Sequence, residues 1–338
     1  MNKLKRSLPT LEDVAQAAGV STATVSRCLN EPQKVSKATK ETVMKAVEDL
    51  RYTPNFGARA IAANRTGIFG AVIPTMENSI FARGIEAFQK VMVENGKTMI
   101  VASSAYDPKQ EANLIRTMVS RGADGILLIG TERDPGIYDF LNDRNIPYVI
   151  AWALSSEPQH SYVGFDNHQA SRKLVSKALE LGHQTFGYIS AKLSSNDRAR
   201  ERVLGALGAI KDHGFDPNEL RLIETNYSIE EGEMAFRTLS ENLPSLVICG
   251  NDVLAAGAIR AALSLGLEVP KDVSIVGFDD IDLARVIQPN LTTVHVPHRD
   301  MGRQAGETLL KLLDTPEVPI KITLETKIVE AGSLGPAP

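Results

Sequence analysis

The segment between residues 21 and 30 carries the most specific chemistry near the N-terminus. Small hydroxyl and methyl groups, followed by an arginine and an asparagine, have the spacing of one exposed helix face: Thr22, Ala23, Ser26, Arg27 and Asn30. Small side chains at a helix tip allow close approach to base edges, and an arginine pairs with guanine or phosphate. Thr24 either bonds a phosphate or bonds back within its own helix. The pattern predicts a DNA-reading helix, and the alternative is an ordinary polar helix face.

A second group of polar residues lies near the C-terminal end of the chain. Asp279, Asp280 and Asp282 follow a predicted strand, and His295 and His298 flank a proline. Carboxylates and imidazoles could hold a divalent cation here. In the alternative that we favour, one carboxylate caps the next helix and one faces the crevice where α/β sheets bind ligands. We therefore expect no metal.

The sequence lacks the usual catalytic signatures. It has no Gly-x-Gly-x-x-Gly after a strand, no phosphate-binding P-loop, no His-Glu-x-x-His and no Gly-x-Ser-x-Gly elbow. We therefore predict that the protein is not an enzyme and uses no cofactor.

Three short helices must position the DNA-reading face. Thr10 caps the first, which ends at Gly19, while Ser21 caps the second and Ser36 opens the third. A tight corner over 18–21 joins the first two helices, and the third buries their apolar faces. This arrangement predicts a helix-turn-helix headpiece.

From Gly67 onward, apolar strands alternate with helices. We predict strands over 68–74, 98–102, 125–129, 148–153, 162–165, 185–190, 222–225, 245–249, 273–278, 291–296 and 320–326. Helices are predicted between them, for example over 81–94, 169–181, 198–213 and 253–265. Continuous apolar strands alternating with helices indicate parallel sheets that are covered on both faces. About 270 residues are long for one doubly wound sheet, so we expect two lobes.

Composition and charge narrow the class of protein. Of the 338 residues, 43% are hydrophobic and 23% charged, which is ordinary for a globular protein. The formal net charge of −4 conceals an asymmetry, because residues 1–65 hold eleven Lys/Arg against six Asp/Glu. A basic head on an acidic body suggests a polyanion partner for the head. Two cysteines, no membrane-length apolar run and no signal-peptide pattern predict a cytoplasmic protein.

The segment 55–63 offers about two helical turns, which is too short for a stable isolated helix. It would fold only against a partner: Ile61 could wedge into a minor groove, and Ala58 would let two copies pack closely. Arg59 or Arg65 would then contact phosphates. The alternative is a flexible linker.

Three blocks of sequence resemble the LacI/GalR family of bacterial transcriptional repressors. The first runs from Thr10-Leu-Glu-Asp-Val-Ala through Ala18-Gly-Val-Ser-Thr-Ala-Thr-Val-Ser-Arg27 to Tyr52-Thr-Pro-Asn55. The second comprises Gly250-Asn-Asp-Val-Leu-Ala-Ala-Gly, Gly266-Leu-Glu-Val-Pro through Gly-Phe-Asp-Asp280, and Pro289-Asn-Leu-Thr-Thr-Val294. The third is Gly164-Phe-Asp-Asn167 with Leu181-Gly-His183. The blocks span nearly the whole chain in the family's order.

The resemblance implies an N-terminal all-α helix-turn-helix headpiece and an α/β two-lobed core of the type I periplasmic-binding-protein kind. The expected domains are 1–54 (headpiece), 55–66 (hinge helix) and 67–338 (core), with lobes of about 67–161 plus 292–318 and 162–291 plus 319–333. A homodimer would bind a pseudopalindromic DNA operator. A small ligand between the lobes, a sugar or sugar acid, would control it as a repressor.

The resemblance also implies site residues. Expected DNA contacts are Thr10, Ser21, Thr22, Ala23, Thr24, Ser26, Arg27, Asn30, Tyr52, Asn55, Ala58, Arg59 and Ile61. Expected effector contacts are Asn78, Phe81, Trp152, Gln169, Arg202, Asn251 and Asp279. Gln169 falls where some members use a carboxylate, with Asp166 as a nearby alternative. Trp152, the single tryptophan, either stacks on a sugar or is packed in the core.

The chain departs from the family pattern at several points. Ile61 stands where leucine is usual, the loop 74–84 is shorter, and Val296 replaces a frequent glutamine. The tail 332–338 has no leucine heptads, so no tetramer is expected. Two rival classes are a ligand-binding protein of periplasmic type, which the headpiece argues against, and an enzyme, which the missing motifs argue against.

Overall fold

A computed structural model describes residues 8–53, 65–77, 79–315 and 318–338. The chain divides into two compact units, Met1–Thr66 and Gly67–Pro338. Five expected site residues lie outside the described residues: Asn55, Ala58, Arg59, Ile61 and Asn78.

Within the described residues 8–53, the N-terminal unit contains three capped α-helices: α1 Leu11–Ala18, α2 Thr22–Asn30 and α3 Lys37–Asp49. The Thr10 hydroxyl accepts the Asp13 N–H, and the Asp13 carboxylate accepts the Thr10 N–H at 2.8 Å. Ser21 and Ser36 cap α2 and α3 in the same way, by accepting the N–H three residues on. Gly19 ends α1 with a φ of 66°, which favours glycine. The three predicted helix starts are therefore observed.

A small apolar core holds these helices together. Val14, Val25, Cys28 and Val43 are buried in it, and the ring of Tyr52 packs on them with 9% of the residue exposed. One face of each helix is thereby fixed, so the opposite face of α2 is presented outward.

The first sheet of the C-terminal unit is parallel and has six strands. In chain order these are β1 Ile68–Ile73, β2 Thr98–Ser103, β3 Ala123–Ile129, β4 Tyr148–Ala151, β5 Tyr162–Gly164 and β11 Lys321–Thr323. Their spatial order is β11-β5-β4-β3-β1-β2. The expected lobe boundary after residue 161 is therefore wrong at two strands. Tyr162 pairs with Ile150 on one side and Lys321 on the other, which places β5 and β11 in the first lobe.

The second sheet is also parallel and has four strands. They are β6 Phe186–Ala191, β7 Arg221–Thr225, β8 Leu246–Cys249 and β9 Ser274–Val276, in the spatial order β7-β6-β8-β9. Two short strands, β10 Thr293–His295 and β12 Lys327–Val329, form an antiparallel pair. Isolated bridges join Val276 to Thr292 and Asp279 to His295, so this pair continues from the second sheet.

Helices cover both sheets. They are α4 Ser79–Glu94, α5 Pro108–Ser120, α6 Pro135–Asn142, α7 Asn167–Leu179, α8 Asp197–Asp212, α9 Ile229–Ser240, α10 Asp252–Ser264, α11 Asp282–Val286 and α12 His298–Asp314. The central strands are buried on both faces, as a covered parallel sheet requires. In the parts of the chain that the structure covers, no helix has the length and apolarity needed to cross a bilayer.

Candidate DNA-reading surface and ligand cleft

The exposed face of α2 carries the DNA-reading candidates. Thr22, Ala23, Arg27 and Asn30 are exposed, and the Arg27 guanidinium makes no hydrogen bond or ion pair within the described headpiece. The first turn of α2 has no acidic residue, so the positive end of the helix dipole is left to attract an anion. The face thus offers small side chains and one arginine for a groove.

Other expected DNA contacts have structural partners inside the headpiece. The Thr24 hydroxyl lies 2.9 Å from that of Ser21, and Ser26 accepts a 3.2 Å hydrogen bond from the Asn30 amide. Thr10 is the cap of α1. Tyr52 differs from expectation, because its ring belongs to the headpiece core rather than to an exposed face.

In the core, Arg202 on α8 is held by three groups of the protein. Its Nε donates to Asn167 at 2.8 Å and its Nη1 to the carbonyl of Gly250 at 2.7 Å, while Nη2 lies 3.4 Å from Asp279. The guanidinium also lies 3.7 Å from the centre of the Phe278 ring. Each of its three nitrogens makes one of these contacts, so Arg202 organises the cleft with three of its five N–H donors.

Asp279 follows β9 and is 1% exposed. Burial raises the pKa of its carboxyl to about 6, and the charge of Arg202 opposes this rise. Its Oδ1 faces Arg202, whereas its Oδ2 has no hydrogen-bond partner among the described residues. The φ of 110° is in the left-handed region, so the backbone is strained to place this carboxylate.

Three buried polar atoms at neighbouring strand ends lack partners within the described residues. They are Ser190 Oγ on β6, Asn251 Nδ2 after β8 and Asp279 Oδ2 after β9. Asn251 uses its Oδ1 to cap α10 through the Leu254 N–H. Buried polar atoms are nearly always hydrogen-bonded. Their occurrence at the carboxyl ends of adjacent parallel strands is typical of a ligand site.

Phe81 and Trp152 are core residues in this structure, not exposed cleft walls. They are 1% and 0% exposed, and their rings meet edge to face at 5.5 Å. Trp152 Nε1 donates to His298 Nδ1 at 3.1 Å. With Nδ1 accepting, the Nε2 of His298 donates to the backbone oxygen of Asp279 at 3.3 Å. Burial lowers the pKa of His298 to about 3, so the ring is neutral.

Gln169 is exposed on the first turn of α7 and does not face the cleft. Its N–H donates to Asp166, the cap of this helix. The residue that faces the cleft is Asn167, whose amide donates to the Trp152 carbonyl and accepts from Arg202. Two residues correspond to about 200° of rotation around a helix, which turns Gln169 away.

Two tyrosines that sequence reasoning missed lie across the cleft from each other. Tyr106 follows β2 and Tyr227 follows β7, and their ring centres are 6.0 Å apart. Both line a cavity of about 440 Å³. Burial raises the pKa of both hydroxyls, so they are neutral hydrogen-bonding groups. Their place directly after strand ends was the signal that could have identified them.

A polar contact joins the lobes at the start of α8. Asp197 Oδ2 accepts the N–H and the hydroxyl of Thr131, which follows β3, at 2.5 and 2.8 Å. Arg198 Nη1 donates to Asp197 Oδ1 at 2.7 Å. Burial disfavours the charged form of Asp197, yet Arg198 and Thr131 hold its pKa below the ordinary value. We call Asp197, Arg198 and Thr131 the interlobe latch.

The C-terminal acidic residues are engaged in ion pairs. Asp280 pairs with Arg285 at 3.0 Å and with the His295 ring at 2.8 Å, and Asp282 pairs with Arg83 at 2.5 Å. Within the described ranges, no three histidine, cysteine, aspartate or glutamate side chains lie together as possible metal ligands. Helix α11 has no side-chain cap. The expected helix-capping role of one carboxylate is therefore wrong.

Comparisons with known proteins agree with both units. Residues 10–55 match the family described as bacterial regulatory proteins, lacI family, and residues 175–334 match a periplasmic binding protein-like domain. The chain is similar to the HTH-type transcriptional repressor PurR of Yersinia enterocolitica, with 32% identity over 336 residues and 98% of each chain covered. The corresponding repressor of Klebsiella pneumoniae is 30% identical over the same length.

Solved structures are similar over nearly the whole chain. A LacI-family transcriptional regulator from Silicibacter pomeroyi matches with a TM-score of 0.87 and 27% identity, covering 97% of this chain and 99% of the other. A transcriptional regulator CelR in complex with cellobiose matches with a TM-score of 0.70 and 28% identity, covering 96% and 99%. The predicted fold class, a helix-turn-helix headpiece on a type I periplasmic-binding-protein-like core, is confirmed.

Proposed function

The chain belongs to the lacI family of bacterial regulatory proteins and is a DNA-binding transcriptional regulator, and from this premise we propose that it represses genes of carbohydrate or sugar-acid metabolism. A small ligand between the two lobes of the core controls its binding to a pseudopalindromic operator. Similarity to PurR repressors supports the repressor assignment. The cellobiose complex of the regulator CelR supports a carbohydrate-like ligand.

The exposed face of α2 is the observation that carries the DNA-binding proposal. Ser21 fixes the start of the helix, and the apolar core fixes its rotation, so Thr22, Ala23 and Arg27 face outward together. Side chains of this size permit an α-helix to enter the major groove, where an arginine discriminates guanine. The unsatisfied buried atoms of the cleft carry the ligand proposal in the same way.

Operator selection with the full-length protein tests this function. DNA is selected from a random library, and binding to the best sequence is compared with binding to scrambled DNA at moderate salt. We expect at least about a 1,000-fold preference, as is usual for specific regulators. Arg27→Ala should reduce the preference, while Arg144→Ala, an equal charge change on the core surface, should preserve it. Equal affinity of the wild type for selected and scrambled DNA would refute the proposal.

We further propose that the active species is a homodimer acting in the cytoplasm, with residues 55–66 as the hinge between headpiece and core. Each headpiece would read one half-site, so the operator selected above should have two inverted half-sites. Light scattering during gel filtration measures the mass directly. A monomer that still binds the full operator specifically would contradict this arrangement.

A further inference from the structure

The cleft contains two buried arginines, which differ in how many of their five N–H donors are used by the described residues. Arg202 engages all three of its nitrogens with Asn167, Gly250 and Asp279. These bonds use three of its five N–H donors, including the single donor of Nε, so no complete edge of this guanidinium formed by Nε and Nη2 is open. Each arginine also has a carboxylate partner: Arg202 lies 3.4 Å from Asp279, and Arg198 lies 2.7 Å from Asp197.

Arg198 differs from Arg202 in the number of N–H donors that the described residues use. Its side chain is 9% exposed, and its only side-chain hydrogen bond within the described residues runs from Nη1 to Asp197. The Nε and Nη2 atoms form the other edge of the guanidinium and have no partner in the described chain. Two parallel N–H groups on one edge match the two oxygens of a carboxylate.

Arg198 is placed where a ligand can reach this edge. It lines both a cavity of about 870 Å³ between the lobes and a smaller one of about 30 Å³ beside Tyr106. The charges of Arg198 and Arg202 both act on the hydroxyls of Tyr106 and Tyr227. The unused donors therefore belong to the same cleft as the tyrosines.

The acidic residues around Arg198 are already committed to other partners. Asp107 caps α5, Glu111 pairs with Arg133 at 3.3 Å, and Glu132 pairs with Arg200 at 2.9 Å. Asp197 itself uses one oxygen for Arg198 and the other for Thr131. The described residues thus supply no second acceptor for the open edge of Arg198.

We infer that the effector is an anion, a polyhydroxy carboxylate, and that Arg198 binds its carboxylate through Nε and Nη2. This inference rests on the proposed function, since it names the class of ligand that the cleft takes. The hydroxyl groups of the ligand satisfy the open acceptor of Asp279 and the open donor of Asn251. The bound carboxylate lies next to the interlobe latch, so ligand binding holds Arg198 in place and reinforces the Asp197–Thr131 contact.

Calorimetric titration and thermal unfolding of the full-length protein test the inference. The acid probes are D-gluconate, D-galactonate, D-glucuronate and D-galacturonate, and the neutral matches are sorbitol, galactitol, D-glucose and D-galactose. We expect at least one acid to bind about 10-fold or more tightly than its neutral match, as for a charge-assisted contact.

Variants locate the contact. Arg198→Gln should weaken binding of the acid about 10- to 100-fold, and Arg198→Lys should lose part of it because lysine lacks the planar edge. Arg172→Gln is the matched control: Arg172 is 41% exposed and pairs with Asp212, so its removal should change affinity by less than about 5-fold. Circular dichroism verifies that each variant is folded.

Three results would overturn the inference: no acid binds, a neutral match binds as tightly, or Arg198→Gln leaves acid binding unchanged. If Arg198→Gln does not fold, the comparison of acid and neutral probes on the wild type still decides the class. Operator binding is measured on the same samples. Retained operator specificity with no acid binding would refute the anionic effector and leave the DNA-binding function standing.

Discussion

The role of Arg202 leads to a prediction about the ligand-free protein. Arg202→Met keeps an unbranched side chain against Phe278 but removes all three hydrogen bonds to Asn167, Gly250 and Asp279. It also leaves Asp279 buried without a counter-charge, and breaking a buried ion pair from one side costs about 3–5 kcal/mol. Asp279 limits this cost by taking up a proton, because its pKa is already about 6. We therefore expect a loss of about 4 kcal/mol.

Urea unfolding followed by circular dichroism measures this loss without any ligand, and the midpoint of thermal unfolding should fall by about 10 °C. The double variant Arg202→Met/Asp279→Asn should be about 1–3 kcal/mol more stable than Arg202→Met alone, because no buried charge is then left unpaired. Arg200→Met serves as the control and should cost less than about 1 kcal/mol. A loss below about 1 kcal/mol for Arg202→Met would show that the three bonds do not organise the cleft, and would refute the reasoning.

Three further predictions concern single residues. Because the pKa of Asp279 is raised in the folded protein, this carboxyl stabilises the folded state below the unfolded value of 3.8, and its contribution is lost as the pH rises through about 6. Asp279→Asn should therefore remove about 3 kcal/mol from the change in unfolding free energy across this pH range, measured by urea titration at each pH. An unchanged dependence of the unfolding free energy on pH would contradict this prediction. Ser21→Ala should destabilise the headpiece by about 1 kcal/mol through loss of the α2 cap, measured by hydrogen exchange, whereas Thr22→Ala should not. Arg27→Ala should reduce operator affinity by about 1–3 kcal/mol in mobility-shift titrations, and no change would remove Arg27 from the interface.

Much of the headpiece follows from local chemistry that a sequence displays. Thr10, Ser21 and Ser36 are side-chain caps, and such residues act within three positions of themselves. The strands of the core were also predictable, because buried parallel strands are continuous apolar runs. Local patterns were sufficient wherever a residue's partner is near it in the chain.

The remaining features depend on partners far away in sequence. The pairing of β5 with β11 joins residues about 160 apart, so no local pattern places these strands in the first lobe. The sequence leaves open whether Trp152 is packed or exposed, because the residues that pack against it, His298 and Phe81, are distant in the chain. Similarly, Arg202 and Arg198 lie on one helix and have the same side chain, and the distant Asn167, Gly250 and Asp279 distinguish them.

The packing of Trp152 means that the intrinsic fluorescence of the protein responds to movement of the lobes. It is the single tryptophan of the chain, so intrinsic indole fluorescence comes from one place in each chain. The indole N–H donates to His298, which in turn donates to the backbone oxygen of Asp279 in the other lobe. Any movement of the lobes that breaks these two hydrogen bonds changes the polarity around the indole, and therefore its emission wavelength. Lobe movement can thus be followed in real time in the unlabelled wild-type protein.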